Sequence, residues 1–361
     1  MYKLKYLSIN KTRTSNNQSL LNRYMQKNVL LINLGSPKSL KLKDVRAYLF
    51  EFLSDKFVID LPKLLQQLIV RLIILPFRSP KTRNAYKTIW TSKGSPLIEN
   101  TRIIAQSLKL KTGWNVDIAM RYQDPSIKES ILLFKKRKVK EIIIAPLYPH
   151  HAMSTTYSTK VEVDRIIKKY YPELQYSIIK PFYDHPKYIH ALSEQIKPLI
   201  SNKMDKVIFS YHGLPERHMR KSDVSGKHCL QLPTCCEIDC KPARKCYRSN
   251  VLKTSELVAE KLNLNKEQCV TSFQSRVTII DRKWLKPFTD IVLKNFPKKG
   301  VKNIVILCPS FIVDCLETLE EIDIRARELF YKAGGKKFIY APCLNNDKNF
   351  IGLLEQLITD I

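Results

Sequence analysis

The chain is expected to be an α/β protein of two lobes, each a parallel sheet flanked by helices, facing one another across a cleft. Three observations predict this. From Asn28 onward, apolar runs of strand length alternate with longer segments of helical period, as parallel sheets require. VLLINLGSP (29–37) is echoed by VIFSYHGLP (207–215), an apolar strand followed by glycine and proline. EIIIAPLYP (141–149) is echoed by NIVILCPSF (303–311), an apolar strand stopped by proline. A plan that occurs twice implies two similar lobes, with a boundary near Phe182–Pro186.

Taken in order, residues 1–24 carry Lys3, Lys5, Lys11, Arg13 and Arg23 but no Asp or Glu. They lack the apolar stretch of a secretion signal. Two readings stand: an organellar transit peptide, or a disordered extension ahead of a natural start at Met25. The second is preferred. Val29–Asn33 reads as a strand that turns at Gly35-Ser36-Pro37, and helices are expected over Leu42–Leu53 and Lys63–Leu75. Val116–Met120 and Glu141–Ala145 are further strands. Lys302–Cys308 is another, ended by Pro309. The first lobe is assigned to 28–184 and the second to 185–335.

Leu61–Pro80 is the most apolar segment, and its leucines and isoleucines cover more than one helical face. It is either a core helix or an exposed lip that grips a flat apolar ligand and touches a bilayer. No run of eighteen apolar residues occurs, so no transmembrane helix is expected.

The net charge of +29 raises nucleic acid or an anionic membrane as partners. The basic residues are Lys-rich and spread throughout, and no nucleic-acid motif accompanies them, which argues against nucleic acid. The densest run, Lys135–Lys140, reads as a solvated helix end before a strand.

The candidate site centres on Val207–Arg217. A buried strand ends at Ser210-Tyr211-His212-Gly213, and Pro215 bars its continuation. Side chains at the carboxyl ends of parallel strands look into the ligand crevice, which places His212 at its lip. About a hundred residues later, Pro309 ends the second such strand and Asp314–Glu321 runs into a helix bearing Glu317, Glu320 and Glu321. The plainer alternatives are a hydrogen-bonded structural histidine and acidic residues complementing a helix dipole.

Five of the nine cysteines fall within eighteen residues: Cys229, Cys235, Cys236, Cys240 and Cys246. Without a secretion signal, such a cluster argues for metal before disulfide. All-thiolate ligation suits a [2Fe–2S] cluster or a structural zinc, and reduced free thiols are the alternative. Four ligands are needed and five are on offer, so which four stays open. The adjacent pair Cys235-Cys236 is expected to give one. Cys269, Cys308, Cys315 and Cys343 read as packed or pocket residues.

SYHGLPERH, FQSR (Phe273–Arg276) and FIVDCLETLEEID (Phe311–Asp323) resemble the ferrochelatases, which insert ferrous iron into a porphyrin. The resemblance continues, in collinear order, through VLLINLGSP, DVRAYLFEFLSD, YKTIWTSKGSPL, MRYQDPSI, PLYPHHAMSTTYST and APCLN. It implies two Rossmann-like lobes of the chelatase fold, with 336–361 returning to the first lobe. It implies Fe(II) as substrate with protoporphyrin IX or coproporphyrin III. His212 and Glu317 match the family's site pair as metal ligands and proton acceptors, roles that suit an imidazole and a carboxylate. Glu321, one turn on, is a candidate proton or metal relay, whereas Glu320 reads better as a solvated face. Tyr148, His150 and Tyr157 are candidates to line the macrocycle. Arg46 and Ser95 are candidates to contact propionates or hold the lip, and the resemblance favours the lip reading of 61–80. Several bacterial members carry a [2Fe–2S] cluster, some with cysteines inserted in this region, which makes the cluster the first choice.

Three departures stand out. Cys315 occupies a position where many relatives carry a second histidine. Gln123 replaces a small residue, and Val277–Lys283 does not fit the usual short spacing to Trp284. Competing readings are a cobalt or nickel chelatase for sirohydrochlorin, a non-catalytic haem or cluster sensor, and a basic nucleic-acid binder. The long FQSR and ETLEEID segments argue against the first. Monomer and homodimer both stay open. The bacterial cytoplasm with peripheral membrane contact is the preferred location, an organelle the alternative.

Overall fold

The computed structural model describes residues 26–276 and 283–361. The basic extension 1–24, and the departure at Val277–Lys283 except for Lys283, lie outside the described residues.

Among the described residues eight strands form two four-stranded sheets, all parallel. The first holds β1 (Asn28–Gly35), β2 (Asn115–Tyr122), β3 (Glu141–Pro146) and β4 (Gln175–Ile178), in the order β2-β1-β3-β4. The second holds β5 (Lys206–His212), β6 (Cys269–Gln274), β7 (Asn303–Leu307) and β8 (Lys337–Tyr340), in the order β6-β5-β7-β8. The sequence echoes fall on equivalent strands: β1 with β5, and β3 with β7. Each pair forms the centre of its sheet, where both faces are covered and apolar residues need not alternate with polar ones. Val29–Ile32 and Ile304–Ile306 are accordingly fully buried.

Each sheet reverses its winding between its two central strands, β1/β3 and β5/β7. Ligands bind at such switch points, outside the carboxyl ends of the strands. A single apolar cluster joins the lobes, running from Val29 and Leu31 through Val207 and Phe209 to Phe350 and Leu354 of the C-terminal helix Lys348–Thr359. That helix is started by Asp347, whose carboxylate accepts from Asn349 N at 2.8 Å and Phe350 N at 3.0 Å. It is tied to the first lobe by Lys111–Glu355 at 3.0 Å and by Lys27 Nζ donating to Ile358 O at 2.9 Å.

The segment expected as Lys63–Leu75 is longer. It runs as Lys63–Leu68, a π-helical stretch Ile69–Ile74, then Leu75–Ile89. Pro80 does not stop it, although proline removes a backbone donor. Ser79 Oγ donates to Leu75 O at 2.6 Å, supplying a side-chain bond within the affected turn. The core-helix reading of this segment is not what the structure shows. Val70 and Ile74 turn inward onto Val45, Leu49 and Leu53 of the helix Leu42–Leu53. Leu64, Leu72 and Phe77 are 76%, 68% and 73% exposed. Beneath the row, the buried Gln66 donates Nε2 to Leu53 O (3.0 Å), Asp55 O (3.1 Å) and Ile59 O (2.9 Å), which pins its base.

Candidate functional site

A cavity of about 910 Å³ opens between the lobes, at both switch points. Leu34, Leu53, Ile74 and Tyr148 wall it from the first lobe, and His212 and Glu317 from the second. Its size and mostly apolar lining with a few polar groups are those of a small-molecule site.

His212 is the last residue of β5, and its backbone N–H donates to Ser310 Oγ at 3.2 Å, across the β5/β7 switch point. Its Nδ1 lies 2.7 Å from Gly213 O. A carbonyl only accepts, so Nδ1 carries a proton, and in the neutral ring Nε2 is the nitrogen with the free lone pair. That is the tautomer a metal ligand or general base needs. Gly213 is required by close approach, because a Cβ there would meet Gln274 O at 2.7 Å.

Glu317 lies in the first turn of a π-helix, Leu316–Ala326, that starts from Cys315. Cys315 N donates to Thr318 Oγ1 at 3.0 Å. The i→i+5 winding is uncommon and recurs at functional sites. Here Glu317, Glu320, Glu321 and Arg325 all face the cavity. Glu320, expected on a solvated face, instead lines the cavity and pairs with Arg325 at 3.2 Å. Glu321 accepts from Ser275 N at 2.8 Å and from Ser275 Oγ. Burial raises its pKa above the usual carboxylate value, while the Ser275 bonds, Arg325 and His212 hold the rise back. The buried Cys315 also lines the cavity, and burial pushes its thiol well up, so it stands there as a neutral group.

Of the remaining expected residues, Tyr148 and His150 reach the cavity wall and three do not. His150 is buried, with Nε2 3.0 Å from Thr254 Oγ1. Burial lowers its pKa to about 3, so it is neutral at any working pH. Tyr157 is exposed and packs edge-on against Phe57, with centroids 5.0 Å apart. Ser95 is buried at the start of the helix Pro96–Thr112. Arg46 is exposed on the helix Leu42–Leu53, whose inward face is taken by Val45, Tyr48 and Leu49.

Gln274, Ser275, Ser310 and Tyr247 also line the cavity, and no pattern in the sequence assigns them a role. Gln274 pairs in register with His212 and donates Nε2 to Glu317 O at 2.7 Å. The FQSR stretch was the available signal, but its partners are distant in sequence. Arg121 and Asp55, each inside a quoted motif, form a buried pair at 2.6 Å. Tyr122 OH also donates to Asp55, at 2.8 Å, as does Ser158.

All nine cysteines are free. Among the described residues, no set of three or more His, Cys, Asp or Glu side chains is already arranged to hold a metal ion. The cysteine loop is nonetheless ordered around thiols. The sulfurs of Cys235 and Cys236 lie 3.9 Å apart, and Arg248 Nη1 donates to Cys236 Sγ at 3.3 Å. The neighbouring Cys236 thiol lowers the pKa of Cys246 against the cost of burial, and the N–H groups of Ser249 and Arg248 assist. Cys240 stands apart, 3.5 Å from His228 Nε2.

The chain's likenesses agree with this architecture. The ferrochelatase family model matches residues 26–360. The chain belongs to the ferrochelatase family. It is 42% identical over 334 residues to the ferrochelatase of Ectopseudomonas mendocina (strain ymp), covering 91% of this chain and 96% of that protein. The ferrochelatase of Pseudomonas syringae pv. tomato is 39% identical, with the same coverages. Among solved structures, SirB from Bacillus subtilis with Fe3+ superposes at TM-score 0.53 and 11% identity, over 93% of this chain and 94% of that one. A sirohydrochlorin chelatase SirB with cobalt, from B. subtilis subspecies spizizenii, gives 0.53 at 10% identity, over 93% and 95%. At such identity these two speak for the fold, the chelatase fold of this ferrochelatase-family chain.

Proposed function

We propose that the chain is a ferrochelatase: it inserts ferrous iron into a porphyrin and releases the two pyrrole protons. Family membership over nearly the whole chain supports the activity. The observation that carries the mechanism is the His212 tautomer in a cavity it shares with Glu317. Apolar walls from Leu34, Leu53 and Ile74 suit the faces of a macrocycle. In this reading Nε2 of His212 accepts a pyrrole proton, and Glu317 binds the incoming cation or takes the second. Glu321, its pKa raised by burial, is suited to exchange protons with solvent. Anaerobic incubation with Fe(II) and either protoporphyrin IX or coproporphyrin III, followed by absorbance, tests the reading. Loss of free porphyrin with one of them names the substrate; no metallation of either would overturn it.

The cysteine loop belongs to the same reading, as the holder of a [2Fe–2S] cluster. What supports this reading is the chemistry of the donors: five thiols within eighteen residues, two of them with sulfurs 3.9 Å apart, and the Arg248 guanidinium beside Cys236 to balance thiolate charge. Cys229, Cys235, Cys236 and Cys246 would hold it, with Cys240 outside. Such a cluster supplies one-electron redox chemistry when bound, and a zinc ion would use the same four. Iron, zinc and sulfide analysis of anaerobically purified protein separates the two. Loss of both groups in Cys240→Ser but not in Cys246→Ser would overturn the assignment.

The exposed row of Leu64, Leu72 and Phe77 supports peripheral contact with a membrane, at the cytoplasmic face in our reading. Among the described residues no helix is long and apolar enough to cross one.

A further inference from the structure

The backbone carbonyl of His212 accepts from the Tyr247 hydroxyl at 2.9 Å. The N–H of the same peptide plane, that of Gly213, donates to Gln274 O at 2.7 Å. This peptide is tied at both ends, and the next carbonyl along, Gly213 O, is the acceptor that fixes the His212 ring. Tyr247 directly follows Cys246, at the start of the helix Tyr247–Lys261. A second strut runs the same way: Cys246 Sγ lies 3.9 Å from Met219 Sδ, on the helix Glu216–Ser222 that follows the HGLP turn. Cys246, Tyr247 and Met219 are all buried, and close-packed interiors pass on displacement instead of absorbing it.

We propose that Tyr247 is a positioning residue that couples the seating of Cys246 in the thiol group to the orientation of the His212 imidazole. The proposal rests on the reading of His212 as the catalytic base and adds to it a route by which the state of the cysteine loop reaches the reacting atoms. The phenol is suited to the task, because its hydroxyl donates to the one carbonyl of the peptide that leads into Gly213.

A double-mutant cycle over Cys246→Ser and Tyr247→Phe tests it, on the full chain purified anaerobically with whatever its cysteine loop holds. Turnover of Fe(II) with the accepted porphyrin is measured against pH, with kcat and KM separated, and folding is checked by thermal melts. Tyr247→Phe keeps the ring and removes only the donor. It is expected to lower kcat roughly 10-fold, the scale of losing an outer partner of a ligating imidazole. It should leave the porphyrin KM unchanged and shift the acidic limb of the kcat profile. Cys246→Ser is expected to lose a similar amount, and the double variant no more than either single one. If Cys246→Ser melts below the assay temperature, Cys229→Ser takes its place. Losses that multiply, or a Tyr247→Phe profile superposing on wild type, would overturn the coupling. His212→Ala is run alongside: wild-type turnover there would overturn the catalytic reading, so the two failures are distinguishable.

Discussion

Gln274 holds both halves of the site, since its side-chain Nε2 donates to Glu317 O and its backbone carbonyl accepts from Gly213 N, each at 2.7 Å. The remaining side-chain oxygen, Oε1, accepts from Ser210 Oγ at 2.7 Å, so the amide has one orientation. One residue thereby sets the turn that carries Glu317 and the peptide that carries His212. Gln274→Leu is expected to keep the fold and lower kcat by roughly 10–100-fold, as loss of an outer partner does. Steady-state metallation with porphyrin binding measured in parallel checks this; a loss confined to KM would count against it.

Gly213→Ala drives a methyl group into the Gln274 carbonyl, which has no room to yield because β5 and β6 are paired there. The expected cost is about 1–3 kcal/mol, as for other overpacking changes. Urea denaturation of the two proteins reads it.

The Arg121–Asp55 pair lies beneath the lip with side chains 13% and 5% exposed. Asp55→Ala leaves the guanidinium buried without its counter-charge, at a cost of about 3–5 kcal/mol. Replacing both residues with apolar ones is expected to cost less than the single change. Thermal melts of the single and double variants decide it.

The His150 pKa is lowered by burial from 6.5 to about 3, so the folded state binds fewer protons there than the unfolded state. Stability from this group is therefore complete above pH 6.5 and is lost as pH falls toward 3. His150→Gln, which cannot titrate, is expected to show a flatter decline of Tm across that window. Parallel slopes for the two proteins would contradict the assignment.

Changing Leu64, Leu72 and Phe77 together to Glu should abolish flotation with vesicles of anionic lipid. Each change should alter folding stability by no more than about 0.5 kcal/mol, since surface substitutions away from packed features cost little. Vesicle flotation and melting curves on the same preparations check both halves.

The central strands were legible because β1, β3, β5 and β7 are buried on both faces and read as continuous apolar runs stopped by glycine or proline. The edge strands β4 and β8 have four residues each, too few to show a period. His212 and Glu317 were legible through their motifs. The π winding of Leu316–Ala326 was not, because α and π segments share an amphipathic pattern over one or two turns. Gln274 reaches Glu317 across 43 residues, and Tyr247 reaches His212 across 35, through contacts that only folding creates. Arg46, Ser95 and Tyr157 were placed by motif alone, and motif position does not fix the direction of a side chain. The residues alone do not decide the exposure of the lip, which only the resemblance favours, because a row of leucines reads alike whether or not something covers it.

The most direct test is anaerobic metallation of the accepted porphyrin by wild type, His212→Ala and Glu317→Ala, with porphyrin affinity measured for all three. The account predicts that turnover collapses in both variants while folding and porphyrin affinity survive. Wild-type turnover in either variant would contradict it.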